Sequence, residues 1–181
     1  DDVMTSSGSV IVLDKSAGFP LLSELTTTSK GLSSGDRSRF EFHYWEVTLP
    51  HPDWEYQHST TETTRPYGGR DKIIRWQNGS GDMRQMQASM IDVFTGKIKD
   101  RRRDWQGNIV WGKNGVAVNC MQELFASLYS GHKFDTNVGV IIPNDIAILP
   151  ALWAFCSSPV FNASVRRKDQ SLKGANAALV N

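Results

Sequence analysis

Several features that would assign a chain at once are absent from this sequence. The apolar run Ala147 to Cys156 is ten residues long with Pro150 inside it, whereas a membrane-spanning helix needs about 20. The amino terminus, DDVMTSSGSV, has no charged region leading into an apolar one, which excludes a secretory signal in that stretch. Only two cysteines occur, Cys120 and Cys156, each in apolar surroundings. Their number and spacing fit neither a metal site nor a disulfide scaffold, so reduced, buried thiols in a cytoplasmic protein are expected. A formal charge of +1 excludes a polycation of the histone kind. No GxxxxGK[ST], no GxGxxG after a strand, no HExxH and no CxxC is found, so the familiar phosphate-binding and metal-dependent motifs are missing.

What is present is order along the chain. At 181 residues and 39% hydrophobic content the length suits one domain with its own core. Ser9 to Leu13 reads as a short strand, and Pro20 to Leu25 as a helix opening with proline at its first position. Gly31 to Phe40 is too rich in glycine and serine to be regular. It feeds Phe40 to Val47, FEFHYWEV, whose alternation predicts a half-buried strand. Residues 50–66 read as a long connection and Lys72 to Trp76 as the next strand, while residues 78–108 show no decisive pattern. Val116 to Val118, Leu124 to Tyr129 and Val138 to Ile142 are strand candidates, the last apolar on both faces and hence central. Pro150 begins a short helix, Ser157-Ser158-Pro159 breaks it, and Ser158 is placed to cap a second helix from Pro159 to about Lys168. Strands followed by helices predict an α+β domain, with a small mixed or antiparallel sheet, loops presenting basic residues, and a C-terminal helical pair. Internal repeats and low-complexity tracts are not apparent.

Charge is clustered although its sum is small. Arg37 and Arg39 form one group, Arg65, Arg70, Lys72 and Arg75 a second, Lys97, Lys99, Arg101, Arg102 and Arg103 a third, and Arg166 to Lys168 a fourth. In Pro66-Tyr67-Gly68-Gly69-Arg70-Asp71-Lys72, glycines permit close backbone approach while the cations suit an anionic partner. Gly31 to Phe40 has backbone N–H groups and arginines suited to phosphate oxygens. Each has a plainer counterpart: an ordinary loop before a strand, a hairpin edge guarded by charge, a solvated basic face. His51, Asp53, Glu55 and His58 carry ligand chemistry, but seven-residue spacing over a proline-bearing loop suits a metal poorly, and no metal site is expected.

The succession LLSELTTTSKGLSSGDRSRF, RPYGGRDKIIRW, WGKNGVAVNCM and LYSGHKFDTNVGVIIPNDIAILPALWAFCSSPVFNASVRRKDQSLKGANAALV resembles the target-recognition region of large bacterial N6-adenine DNA methyltransferases of the type IIG kind, over residues 20–180. Where that family typically reads GxxTGDN, this chain has Gly31 to Arg37, so Ser34 keeps a hydroxyl and Arg37 replaces an asparagine. The resemblance implies double-stranded DNA as partner. It also implies a separate methyltransferase domain of the same chain, which holds S-adenosylmethionine and carries the [DNS]PP[YFW] tetrapeptide absent here. The start at Asp1, and an end at Asn181 short of the strand with which members continue, lead us to expect an excised piece of a larger methyltransferase. The piece itself is expected to be non-catalytic and to act in the cytoplasm. The residues expected to contact DNA are Ser34, Asp36, Arg37 and Arg39, then Tyr67, Gly68, Gly69, Arg70, Lys72 and Arg75, then Arg101, Arg102, Arg103 and Lys113. A different class of function, a protein-interaction scaffold using the aromatic segment Phe40 to Trp45 and the helical pair, is compatible with the same residues.

Overall fold

Among the described residues the first regular turn is α1 (Leu22–Leu25), where the Glu24 carboxylate accepts the Leu21 N–H at 3.3 Å. One turn later the β-branched Thr26, Thr27 and Thr28 favour extended backbone, and α1 passes straight into β1 (Thr26–Lys30). The computed structural model describes residues 20–89 and 105–169. Ser9 to Leu13, Lys97, Lys99 and Arg101 to Arg103 lie outside them.

The described residues form an α+β fold with two four-stranded sheets, not the one sheet expected. The remaining strands, in chain order, are β2 (Glu41–His43), β3 (Trp54–His58), β4 (Lys72–Arg75), β5 (Asn114–Asn119), β6 (Ala126–Ser130), β7 (Lys133–Phe134) and β8 (Val138–Pro143). The first sheet runs β1-β8-β5-β6 and is antiparallel throughout. As its apolar run predicts, β8 is central and buried at every position. One face of this sheet packs Val116, Val118 and Ile141 against Leu152, Cys156, Phe161 and Val165 of α4 (Leu149–Cys156) and α5 (Pro159–Lys168). The other buries Ala117, Tyr129, Val140 and Ile142 with Phe134. Ser158 caps α5, its hydroxyl accepting the Phe161 N–H at 3.3 Å. Among the described residues no single helix is long and apolar enough to cross a membrane.

The second sheet runs β2-β4-β3-β7 and is mixed, because β3 and β7 pair in parallel. It corrects two expectations. The strand predicted over Phe40 to Val47 ends at His43, where the Glu46 carboxylate accepts the His43 N–H at 2.6 Å and winds Tyr44–Glu46 into a 3₁₀ turn. The long connection over 50–66 contains β3, whose polar Glu55 and Gln57 disguised a strand held between β4 and β7. Arg37 to Phe40, read as irregular, is a one-turn helix, α2 (Arg37–Phe40), capped by Asp36. In the undeciphered stretch, α3 (Asp82–Ser89) contributes Met83 to a core with Leu32, Phe40, Ile74 and Trp76.

A buried carboxylate is one of the points at which the sheets are joined. Asp135, 2% exposed, accepts the Ser59 hydroxyl and the Asn137 N–H, both at 2.7 Å, and the Arg37 guanidinium at 3.4 Å. Its own N–H donates to the His58 carbonyl at 3.0 Å, its backbone bridges Leu32, and a Cβ on Gly31 would stand 2.0 Å from its carbonyl oxygen. Removing a buried carboxylate strands its donors, at a cost of several kcal/mol when an ion pair is broken. Asp135→Ala is therefore expected to lower unfolding stability by about 3 kcal/mol, against about 1 kcal/mol for the cap variant Ser158→Ala. Urea denaturation checks both, and equal losses would contradict the special place of Asp135.

Candidate nucleic-acid interface

The glycine pair of the basic segment is explained inside the chain. Residues 64–66 run along the free edge of β6, with the Arg65 N–H donating to the Ala126 carbonyl and the Leu128 N–H to the Pro66 carbonyl, both at 3.0 Å. The edge is thereby covered. Gly68 and Gly69 are buried: a Cβ on Gly68 would stand 2.2 Å from Thr61 Oγ1, and one on Gly69, which has a φ of +69°, 2.1 Å from the Ser59 carbonyl. Only glycine fits there. The glycines are thus required by the chain's own packing, while Gly69 also borders the open groove. Arg70 is half-buried, and its Nη2 donates to the Leu128 carbonyl at 2.9 Å while its guanidinium lies 5.1 Å from the Tyr67 ring centre.

The other expected contacts are largely engaged as well. Ser34 is 3% exposed and donates to Glu41 Oε1 at 2.6 Å. Asp36 caps α2 through the Arg39 N–H and accepts the Ser38 hydroxyl. Arg37 pairs with Glu41 at 3.1 Å and reaches Asp135, while Arg75 pairs with Asp82 at 3.0 Å. Burial pushes the Glu41 carboxyl above its usual range, with Ser34 and Arg37 pulling it back. Lys72 pairs in register with His43 and Gln57 inside the mixed sheet. Arg39, stacked on Phe40 at 5.0 Å, and Lys113 are exposed. The run Gly31 to Gly35 also has the GxSxG spacing of a serine-nucleophile turn. Its cleft is walled by residues 32–37, Glu41, Asp135 and Thr136, without a histidine to serve as base.

Among the described residues one groove that stays open, of about 360 Å³, is rimmed by Tyr44, Trp45, Glu62, Arg65, Tyr67, Gly69, Arg70 and Asp71. Trp45 is 61% and Tyr67 73% exposed, and Trp45 stacks on His43 with ring centres 4.4 Å apart. Thr61, below the groove, is fixed to β5 by a reciprocal pair of bonds with Asn119 at 3.0 and 2.8 Å. Tyr44, Trp45, Glu62 and Asp71 were absent from the expected contacts, because strand alternation assigned the first two to a sheet. The 3₁₀ turn brings them out instead.

Beside the groove, sharing Arg70, lies a smaller cleft of about 220 Å³ lined by Tyr56, Gln57, His58, Arg70 and His132. His58 is 1% exposed, with Nε2 2.8 Å from Ser127 Oγ and no partner for Nδ1. Burial, reinforced by the charge of Arg70, pushes its pKa down to about 3, so the ring is neutral at pH 7. Among the described residues no three or more of His, Cys, Asp and Glu gather as metal ligands. His51 instead accepts the Asp53 N–H, and Glu55 pairs with Lys133 at 2.8 Å. Cys120 and Cys156 are buried, and burial pushes both thiols up to about 12. Comparison with models of known protein families and with curated protein sequences gives no match.

The depressed His58 value has a consequence for stability. Unfolded, the ring takes up a proton near pH 6.5; folded, it does so only near pH 3. The stability this contributes is complete above 6.5 and is lost as the pH falls toward 3, at about 1.4 kcal/mol per unit. Glu41, raised, acts in the opposite sense as the pH climbs past its ordinary value of 4.5. Glu41 is common to wild type and a His58→Gln variant, so their difference isolates the histidine. Wild-type stability is expected to fall more steeply than the variant's between pH 6.5 and 3 by about that slope, measured by urea titration at each pH. Parallel curves would contradict it.

Proposed function

We propose that this chain reads double-stranded DNA as the target-recognition region of a bacterial adenine-N6 methyltransferase, in a restriction-modification or phage-defence system of the cytoplasm. The observation that carries this reading is the groove where the exposed rings of Tyr44, Trp45 and Tyr67 converge with Arg65 and Arg70. Its position on the segment RPYGGRDKIIRW, which resembles the family, agrees with it. The mixed charge suits base reading more than general phosphate attraction. Arginine forks guanine O6 and N7, while Glu62 and Asp71 offer acceptors for a cytosine amino group. Arg65, exposed and, among the described residues, donating only through its backbone N–H, suits a phosphate or a base edge.

By the family resemblance S-adenosylmethionine belongs to a separate methyltransferase domain, and positioning the duplex is this region's share of the reaction. Adenine must leave the stack to be methylated, which makes firm positioning essential. The rival scaffold reading draws on the same rings, since Tyr, Trp and Arg are also enriched at protein interfaces. It is favoured by exposed Phe155 and Val160 on the helical pair.

Salt separates the two. With two guanidiniums at the groove, log affinity for duplex DNA is expected to fall against log salt with a slope of about −2. Arg65→Ala is expected to make that slope shallower by about 1. Fluorescence anisotropy with a labelled duplex library measures both. No binding at low salt, or a slope indifferent to Arg65→Ala, would remove the DNA reading and leave the scaffold.

A further inference from the structure

We infer that the cleft between Tyr56, His58, Arg70 and His132 takes one unstacked nucleobase, its face on Tyr56 and its edge against His58 Nδ1 and Arg70 Nε. The inference deepens the DNA reading and rests on it for the source of the base. Both edge atoms are buried without a hydrogen-bond partner. Buried polar groups are nearly always satisfied, and two orphans at one cleft point to a ligand that satisfies them. Gln57 also lines the cleft, and its amide, buried and without a partner too, adds to the same demand.

The chemistry of the walls selects the ligand. Tyr56 is 49% exposed and its ring centre lies 5.7 Å from that of His132, giving an aromatic wall at the mouth. The floor is a neutral imidazole, and the one cation present is already pinned through Nη2 to the Leu128 carbonyl. An isolated phosphate would find a single partly engaged guanidinium there. A neutral heterocycle instead offers a π-face to the tyrosine and ring acceptors or donors to the two orphans. His58 Nδ1 accepts when Nε2–H donates to Ser127 and donates when the hydroxyl does, so it serves either kind of edge. At about 220 Å³ the cleft is smaller than the 300–1,000 Å³ typical of drug-sized ligands, which suits a single ring system. Arg70 borders both cleft and groove, so a nucleotide whose base enters the cleft keeps its phosphate on the side of Arg65 and Tyr67.

The test follows the histidine ring ¹H–¹³C signals of the 181-residue chain during titration with each deoxynucleoside 5′-monophosphate, and separately with inorganic phosphate. At least one nucleotide is expected to shift both His58 and His132, phosphate alone neither. Tyr56→Ala is expected to weaken that response about tenfold, the loss of one base–aromatic stack. His132→Ala, at an exposed position, supplies a second weakening variant should Tyr56→Ala fail to fold. Silence of His58 to all four nucleotides, an equal response to phosphate, or unchanged affinity in the folded variants would overturn the inference. Duplex binding on the same sample keeps the two readings apart. Duplex binding with silent histidines removes the cleft and leaves the DNA reading, whereas nucleotide binding without duplex binding does the reverse.

Discussion

The groove and the cleft both lean on the hydrogen bonding of one buried carboxylate. The two sheets share no strand, and Asp135 gathers at one point the end of β3, the loop before β8, and the segment from Gly31 to Arg37. A carboxylate accepting several charge-assisted or backbone bonds in a low-dielectric setting is rigid, because each bond polarises the next and none is replaced by water. Fixing Ser59 and His58 fixes where β3 stops. That stop brings the His58 ring to Ser127 and sets the Ser59 carbonyl against which Gly69 must fold. The groove and the cleft inherit their shape from that constraint.

How much of this is legible in sequence follows from the range of the interactions involved. Elements specified by their own residues are read correctly. The doubly apolar β8, the strands at Val116 and Leu124, and α5 with its Ser158 cap all appear within a few residues of expectation. Elements specified by distant partners are not. The parallel pairing with β7 that completes β3 reaches across more than seventy residues. The turn at Tyr44 depends on a local carboxylate, Glu46, together with the Asp71 carbonyl that accepts the Tyr44 N–H at 3.1 Å. Division into two sheets has no local signature either.

The candidate contacts show the same limit in another form. Glycine, serine and arginine in GLSSGDR look alike whether they serve a ligand or a fold, and here Ser34, Asp36 and Arg37 serve Glu41, the α2 cap and Asp135. Residue type told where unusual backbone was needed; it did not tell which surface required it. Once these internal pairs are set aside, the groove keeps aromatic rings and charge of both signs. The open groove is bounded by the turn at Tyr44 to Glu46, the tip at Tyr67 and Gly69.

The most direct measurement of the proposal that this groove reads DNA is amide hydrogen exchange with and without a binding duplex. The account predicts slowed exchange over residues 44–46 and 62–71, with α4 and α5 unchanged. Protection confined to the helical pair, with the groove exchanging as it does in the free chain, would contradict it.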